Sequence, residues 1–268
     1  MKEIDKKGAS LMDKRIESIQ NPKVKEWKKL QTKKGRMQYR QFFIEGEHLI
    51  EEAIKHQSRV DVLLAVENTD VPVKWLEQIT QMYWVTPVVM KYLSQIETSQ
   101  GIAAICSMPV YDLELKNGCS YLLVDRVQDP GNFGTLIRTA EAIGVQAVLY
   151  TKGTVDVYND KVVRATQGAI FHFPILEVDG LVCVHSCQEK GIPVYGSALQ
   201  NAVHYQEVAP SNEFMLIVGN EGGGIDQHLL NQTTQNIYLP ILGQSESLNV
   251  AVAAGILLYY LKSNKLKA

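Results

Sequence analysis

Asn132, Arg138, Glu221, Ser247 and Asn249 are the polar residues of this chain best placed to do chemistry. They fall in three segments of one pattern: Asp125–Arg138 (DRVQDPGNFGTLIR), Val218–Gly224 (VGNEGGG) and Leu239–Val250 (LPILGQSESLNV). Each segment opens with an apolar, strand-like run, breaks at glycine or proline, and presents polar groups at the break. An α/β protein builds its ligand sites in this way, at the carboxyl ends of its strands. At the first edge Asp129-Pro130-Gly131-Asn132 is a turn sequence, in which proline fixes one dihedral and glycine frees the next. It leads into a helix whose first amides can receive an anion such as a phosphate.

Each residue also has a plain structural explanation. Asn132 suits a turn or helix cap, Arg138 can pair with Glu141 three residues on, and Ser247 is a natural cap for a following helix. Glu221, set among glycines, can touch a ligand or satisfy loop amides. Other chemistries fit less well. The glycines Gly219, Gly222, Gly223 and Gly224 follow a strand, but no acidic residue ends a following strand at the separation a dinucleotide fingerprint requires. The sequence contains neither a Walker-type G-K-[ST] nor a G-x-S-x-G, which argues against ATP hydrolysis and serine hydrolysis.

The elements that must hold these edges are legible from periodicity. In the first half, a turn at Asn21-Pro22 starts a lysine-rich helix, and Phe42–Gly46 reads as a short strand. Glu47 to His56 reads as a helix with Leu49, Ile50, Ala53 and Ile54 on one face. Val60 to Val66 and Ile102 to Cys106 read as strands, Trp75 to Met82 and Pro87 to Ser94 as helices, and Tyr83 to Val85 as a brief strand. A polar, turn-forming stretch from Met108 to Gly118 marks a boundary, giving expected domains at 1–107 and 118–268. Beyond it, strands are expected at Tyr121–Asp125, Val148–Tyr150, Val194–Gly196, Phe214–Val218 and Ile237–Leu239. Helices are expected from Gly134 to Ile143, with Gly144 as a left-handed cap, from Lys161 to Gln167, and from about Leu248 to Leu261. Continuous rather than alternating apolar strands mean a sheet covered on both faces, hence parallel. The fold class is α/β twice over.

The net charge of −2 conceals an asymmetry. Residues 1–40 hold 13 Lys or Arg against 5 Asp or Glu, a surplus of 8, so the remaining 228 residues carry −10. A basic leader on an acidic chain suits a polyanion partner. No apolar stretch follows the first charges, so no secretory signal is expected, and Val250 to Leu261 is about half the length of a membrane span. The four cysteines, Cys106, Cys119, Cys183 and Cys187, show no C-x-x-C spacing and no histidine pattern of a zinc site. Reduced thiols are expected, with no metal and no membrane association.

Taken together, the segments resemble the SpoU (TrmH-like) branch of the SPOUT superfamily of RNA ribose 2′-O-methyltransferases. DRVQDPGNFGTLIRTA at 125–140 looks like the first motif of that family, GNEGGG at 219–224 like its second, and LPILGQSESLNVAVA at 239–253 like its third. Residues 16–57, including FFIEGEHLIEEA, look like the substrate-binding domain of two-domain members that act on ribosomal RNA, a small α/β domain similar to the L30e ribosomal-protein fold. The resemblance implies a trefoil-knotted, mostly parallel SPOUT domain, a homodimer and a cytoplasmic location. It also implies S-adenosyl-L-methionine held largely by backbone groups at Gly219, Leu239 and Leu248, with Gly196, Asn220, Glu221 and Ile241 nearby.

The implied reaction is 2′-O-methylation of a ribose in RNA, expected to be 23S ribosomal RNA; a tRNA substrate or a non-catalytic assembly role are the alternatives. A ribose hydroxyl is a weak nucleophile, so the protein must align the displacement and help the proton leave. Arg138 is expected to hold the RNA phosphate and polarise the hydroxyl, acting by charge rather than as a free base. Asn132 would orient the ribose or Arg138, Ser247 and Asn249 would bond substrate or neighbouring catalytic groups, and Glu221 would order the cofactor loop. Lys23, Lys25, Lys33, Lys34, Arg36 and Arg40 would grip RNA phosphates in a salt-sensitive manner. One stretch departs from the family pattern: Gln167 in Arg164-Ala165-Thr166-Gln167-Gly168-Ala169 stands where relatives carry a smaller residue, and no role is carried onto it.

Overall fold

The computed structural model of the chain describes residues 14–112 and 114–263, so the first 13 residues of the basic leader lie outside the described range. The chain divides into two compact units. One groups Met1–Val110 with Tyr158–His172, and the other groups Tyr111–Val157 with Phe173–Ala268.

The first unit is built on a five-stranded sheet of β1 (Arg15–Ile16), β2 (Gln41–Glu45), β3 (Val60–Val66), β4 (Ile79–Val85) and β5 (Ile102–Ser107), in the order β1-β4-β3-β5-β2. β4 runs parallel to both β1 and β3, whereas β5 is antiparallel to β3 and β2. The lysine-rich helix is Pro22–Lys29, with the Asn21 side chain accepting from the Lys23 amide at 2.9 Å. Val24 and Trp27 turn inward against Tyr83, Val89 and Leu93. The helix Glu47–Lys55 buries Leu49, Ile50, Ala53 and Ile54, the face its spacing predicts. A short helix, Lys33–Tyr39, was hidden by Gly35 in its interior. A Cβ there would fall on the Lys29 carbonyl oxygen, so close packing of two helices explains a residue that helices otherwise disfavour.

The helix expected from Trp75 to Met82 is not formed. The helix covers only Val73–Leu76, and Ile79–Val85 is the strand β4. Its sequence, ITQMYWV, is rich in β-branched and aromatic residues, and it bonds to neighbours on both sides, so sheet pairing overrides local helical spacing. The segment Tyr158–His172 carries the helix Asp160–Ala165 and a 3-10 turn at Ala169–Phe171. It packs against residues from the first part of the chain: Phe42 meets the rings of Tyr158 at 4.7 Å and Phe171 at 6.2 Å, and His56 stacks on His172 at 3.8 Å. The Ser58 hydroxyl donates to the Phe171 carbonyl at 3.0 Å.

The second unit holds seven strands: β6 (Ser120–Val124), β7 (Ala147–Thr151), β8 (Ile175–Val178), β9 (Val194–Ser197), β10 (Ala202–His204), β11 (Phe214–Val218) and β12 (Gln235–Tyr238). Their order is β10-β12-β9-β11-β6-β7-β8, and every pairing is parallel, as the apolar strand runs predict. Strands β8 and β10 and the helix Gly180–Glu189 add to the elements anticipated from sequence. Cys183 and Cys187 lie one turn apart on that helix, all four cysteines are free, and burial pushes the Cys187 thiol up to about 12. The helix Pro130–Ile143 starts at its proline, the favoured first position, and ends at Gly144 with φ of 73°. The last helix is Val250–Leu261, capped by Asn249 rather than Ser247. Among the described residues no helix is long and apolar enough to cross a membrane, and no cluster of metal-ligating side chains occurs.

Candidate active site at the carboxyl edge of the parallel sheet

In a parallel sheet all carboxyl ends share one edge. Gly196 of β9 lies opposite Ile217 of β11 on one side and Asn236 of β12 on the other, while Val218 pairs with Val124 of β6. The loops after β6, β11 and β12 therefore leave the same sheet edge, β6 beside β11 and β12 one strand beyond, within a band of about 15 Å at the usual strand spacing. The three sequence segments occupy these loops.

A single chain of hydrogen bonds joins them. Glu221, in the loop after β11, accepts at Oε2 from the Gln128 amide at 3.2 Å, and at Oε1 from the Asp129 amide at 3.2 Å and Asn132 Nδ2 at 3.0 Å. Asn132 in turn accepts at Oδ1 from Asn249 Nδ2 at 2.7 Å. Asn249 Oδ1 is meanwhile committed to the amides of Ala251 and Val252, at 2.9 and 3.3 Å. Burial pushes the Glu221 carboxyl up, but the bonds from Asn132 and the loop amides outweigh it and hold the group below its ordinary value. Glu221 is thus an anion tied to the amides at the start of the helix Pro130–Ile143, where the dipole favours negative charge.

The loop after β11 is tightly built. Asn220 and Gly224 exchange two backbone bonds at 2.9 and 3.0 Å, and Asn220 Oδ1 accepts from the amides of Gly222 and Gly223, both at 2.9 Å. A Cβ on Gly219 would strike the backbone of Gly224 and Ile225. At Gly196 a Cβ would come within 2.5 Å of Asn236 Oδ1 and 2.9 Å of the Leu230 side chain. Leu239 and Ile241 are half-buried beyond β12, and Leu248 is exposed just before the last helix.

The Arg138 side chain is exposed on the helix Pro130–Ile143, with no hydrogen bond or ion pair among the described residues. Ser247 is likewise exposed, without a hydrogen bond among the described residues. In the first unit Lys23, Lys25, Lys33, Lys34 and Arg40 are exposed, and Lys23 Nζ stands 5.4 Å from the Tyr83 ring. Arg36 departs from the sequence expectation. It is buried, and Nη1 donates to the Leu30 carbonyl at 2.8 Å, so its guanidinium serves the packing of the leader rather than an open surface. Gln167 is exposed, with φ of 49°, and folds back onto the Arg164 carbonyl at 2.9 Å. Sequence reasoning passed over Asp125, which is buried at the end of β6 and bonded by Arg126, Thr151 and the Asp226 amide. Its one signal was a carboxylate closing an otherwise apolar run.

A parallel seven-stranded sheet with these polar loops gathered at one carboxyl edge is the layout of an α/β ligand-binding unit. Residues 120–259 match the model of the SpoU rRNA Methylase family, and residues 21–104 match that of the MRM3-like substrate binding domain. The chain belongs to the SpoU rRNA methylase family, as its three motifs imply. It is 48% identical, over 93% of its length and 99% of the relative's, to the 23S rRNA (guanosine(2553)-2′-O)-methyltransferase RlmP of Bacillus subtilis (strain 168). Among solved structures, an AdoMet-bound rRNA methyltransferase from Sinorhizobium meliloti is 27% identical with a TM-score of 0.85, covering 95% of this chain and 98% of that one. The SpoU methyltransferase AviRb from Streptomyces viridochromogenes, in complex with AdoMet, shares the fold at 24% identity and a TM-score of 0.82, over 93% of this chain and 100% of its own.

Proposed function

We propose that this chain transfers the methyl group of S-adenosyl-L-methionine to the 2′-hydroxyl of a guanosine ribose in 23S ribosomal RNA. The observation that carries the reading is the Glu221–Asn132–Asn249 chain of hydrogen bonds, which joins all three motif loops at one sheet edge. Likeness to the Bacillus subtilis relative over nearly the whole length supports the substrate.

The residues at the ends of β9, β11 and β12 fit the cofactor. Backbone groups at Gly219 and Leu239 offer polar contacts, glycines at 196 and 219 let the neighbouring chain close tightly on the strand ends, and Leu239, Ile241 and Leu248 supply aliphatic surface for a flat base. Asn220 and Glu221 shape that loop. When bound, S-adenosylmethionine supplies a sulfonium methyl electrophilic enough to need no metal. The chain's own residues align and polarise the hydroxyl. Arg138, with no partner among the described residues, is free to hold the adjoining phosphate and favour loss of the proton by its charge. Asn132 is fixed by two neighbours so that its position toward ribose is set in advance. Ser247 stays open for substrate.

Lys23, Lys25, Lys33, Lys34 and Arg40 of the first unit supply an RNA grip, without Arg36. The last helix carries no charge from Val250 to Leu261 and leaves Val252, Ile256 and Tyr259 at 52%, 42% and 47% exposure, spaced as one stripe. A helix apolar all round is normally covered, which supports a homodimer seated on this face. The return of residues 239–249 from β12 to Asn132, past the ends of β9 and β11, supports the trefoil crossing. Acting on ribosomal RNA, the protein works in the cytoplasm.

The test is methyl transfer from labelled S-adenosylmethionine to ribosomal RNA and ribosomal particles from cells lacking this protein, followed by digestion to nucleosides. The expected product is one new 2′-O-methylguanosine in large-subunit RNA. Tight cofactor binding with no transfer to either substrate would instead indicate another RNA or an assembly role.

A further inference from the structure

The loop after β11 is held at both ends by two consecutive residues of the loop after β6. At its start, Asn220 Nδ2 donates to the Arg126 carbonyl at 2.8 Å. At its end, the Asp226 amide donates to Asp125 Oδ2 at 2.8 Å. Asp125 is itself locked in place. Its amide donates to the Val218 carbonyl at 2.8 Å, its Oδ1 accepts from Thr151 Oγ1 at 2.7 Å, and its Oδ2 accepts from Arg126 Nε and Nη2 at 3.2 and 3.1 Å. Arg126 is held in the left-handed region, with φ of 56°, and its amide donates to Thr151 Oγ1 at 3.2 Å. Strain of this kind persists only where the surroundings over-determine it. Glu221 lies between the two anchors and reaches the Gln128 and Asp129 amides just downstream.

We propose that Asp125 is a positioning residue, which sets Glu221 against the start of the helix Pro130–Ile143 by pinning the far end of the Asn220–Asp226 loop. It touches neither RNA nor cofactor in this account and acts through Glu221 and Asn132. The buried carboxylate accepts four bonds and has Arg126 beside it, so its burial is compensated and its geometry rigid. The inference rests on the proposed methyl transfer for its effect on rate, but not for its effect on the loop.

The experiment pairs amide hydrogen exchange on the full chain with steady-state methyl transfer. Asp125→Ala should raise exchange at Asp226 and also at Gln128 and Asp129, and lower kcat ten-fold or more with KM for RNA within two-fold. Asp125→Asn should restore both, because its carboxamide oxygen still accepts from Asp226 and its NH₂ can face the Thr151 hydroxyl. Unchanged exchange at Gln128 and Asp129 in the alanine variant, or an asparagine variant as impaired as alanine, would overturn the proposal. Should Asp125→Ala fail to fold, Thr151→Val, which removes the hydroxyl that bonds both Asp125 and the Arg126 amide, must raise exchange at the same three amides for the proposal to stand. A wild-type chain that transfers no methyl group sinks the proposed function alone, since the exchange measurements still decide the anchoring.

Discussion

Asn249 does two jobs with two ends of one amide, and substitution can separate them. Its Oδ1 caps the last helix through the amides of Ala251 and Val252, and its Nδ2 donates to Asn132. Asn249→Ala removes both functions: about 1 kcal/mol for the cap and about 1 kcal/mol for the bond. A loss of about 2 kcal/mol predicts a fall in Tm of about 4–8 °C for a unit of this size. Asn249→Asp keeps the cap, since aspartate is as good a cap and its charge suits a helix start. It places an acceptor oxygen where Asn132 Oδ1 now receives a hydrogen, and Asn132 cannot turn over without presenting its own oxygen to Glu221. Misalignment of that pair costs about 1.5–3 kcal/mol, which is a fall of about 10- to 150-fold in kcat/KM. Thermal melts and methyl-transfer kinetics on both variants supply the two readouts. The aspartate variant keeps the cap and loses the bond, so it should melt about 2–4 °C below the wild type, less than the alanine variant, while losing activity, and should recover in part as falling pH protonates the new carboxyl and restores a donor. An aspartate variant with full activity, or one that loses as many degrees as alanine, would refute the division of labour.

Four further outcomes are expected. Arg138→Ala should abolish methyl transfer while cofactor affinity, by titration calorimetry, stays within a few-fold; loss of both would make its role structural. Gly219→Ala drives a methyl into the backbone of Gly224 and Ile225, an overpacking of about 1–3 kcal/mol or more. It should weaken cofactor binding at least ten-fold, and an unchanged Kd would count against that loop. The Glu221 carboxyl is held below its ordinary value in the folded chain, so it contributes stability above the unfolded carboxylate range that is lost as pH falls through the folded value. The difference in Tm between wild type and Glu221→Gln should therefore shrink on acidification, and a difference that grows would reverse the sign of the argument. One phosphate contact each from Lys23, Lys25, Lys33, Lys34 and Arg40 predicts a log–log slope of RNA affinity against salt of about −3.5. Lys33→Ala with Lys34→Ala should make that slope shallower by about 1.4, as read by filter binding, whereas Arg36→Ala should show itself in stability.

Sequence alone determined those features that depend on neighbours in the chain. The apolar strand runs specify a parallel sheet because a strand buried on both faces needs no polar alternation. Asn21-Pro22, Asp129-Pro130 and Gly144 mark helix ends through local caps and dihedrals, and each does so in the folded chain. The three motif segments carried the family and placed Asn132, Glu221 and Asn249 at one edge. The tertiary structure decided what depends on distant partners. Ile79–Val85 became a strand because β1 and β3 flank it, and Arg36 was drawn inside to bond the Leu30 carbonyl. Tyr158–His172, read from sequence as part of the second domain, groups with the first because Phe42, His56 and Ser58 supply its partners. Asp125 meets Asp226 across 101 positions and Asn249 meets Asn132 across 117. No local pattern encodes such pairs: a hydrogen bond depends on separation in space, and only the order of the strands turns separation along the chain into contact at one edge.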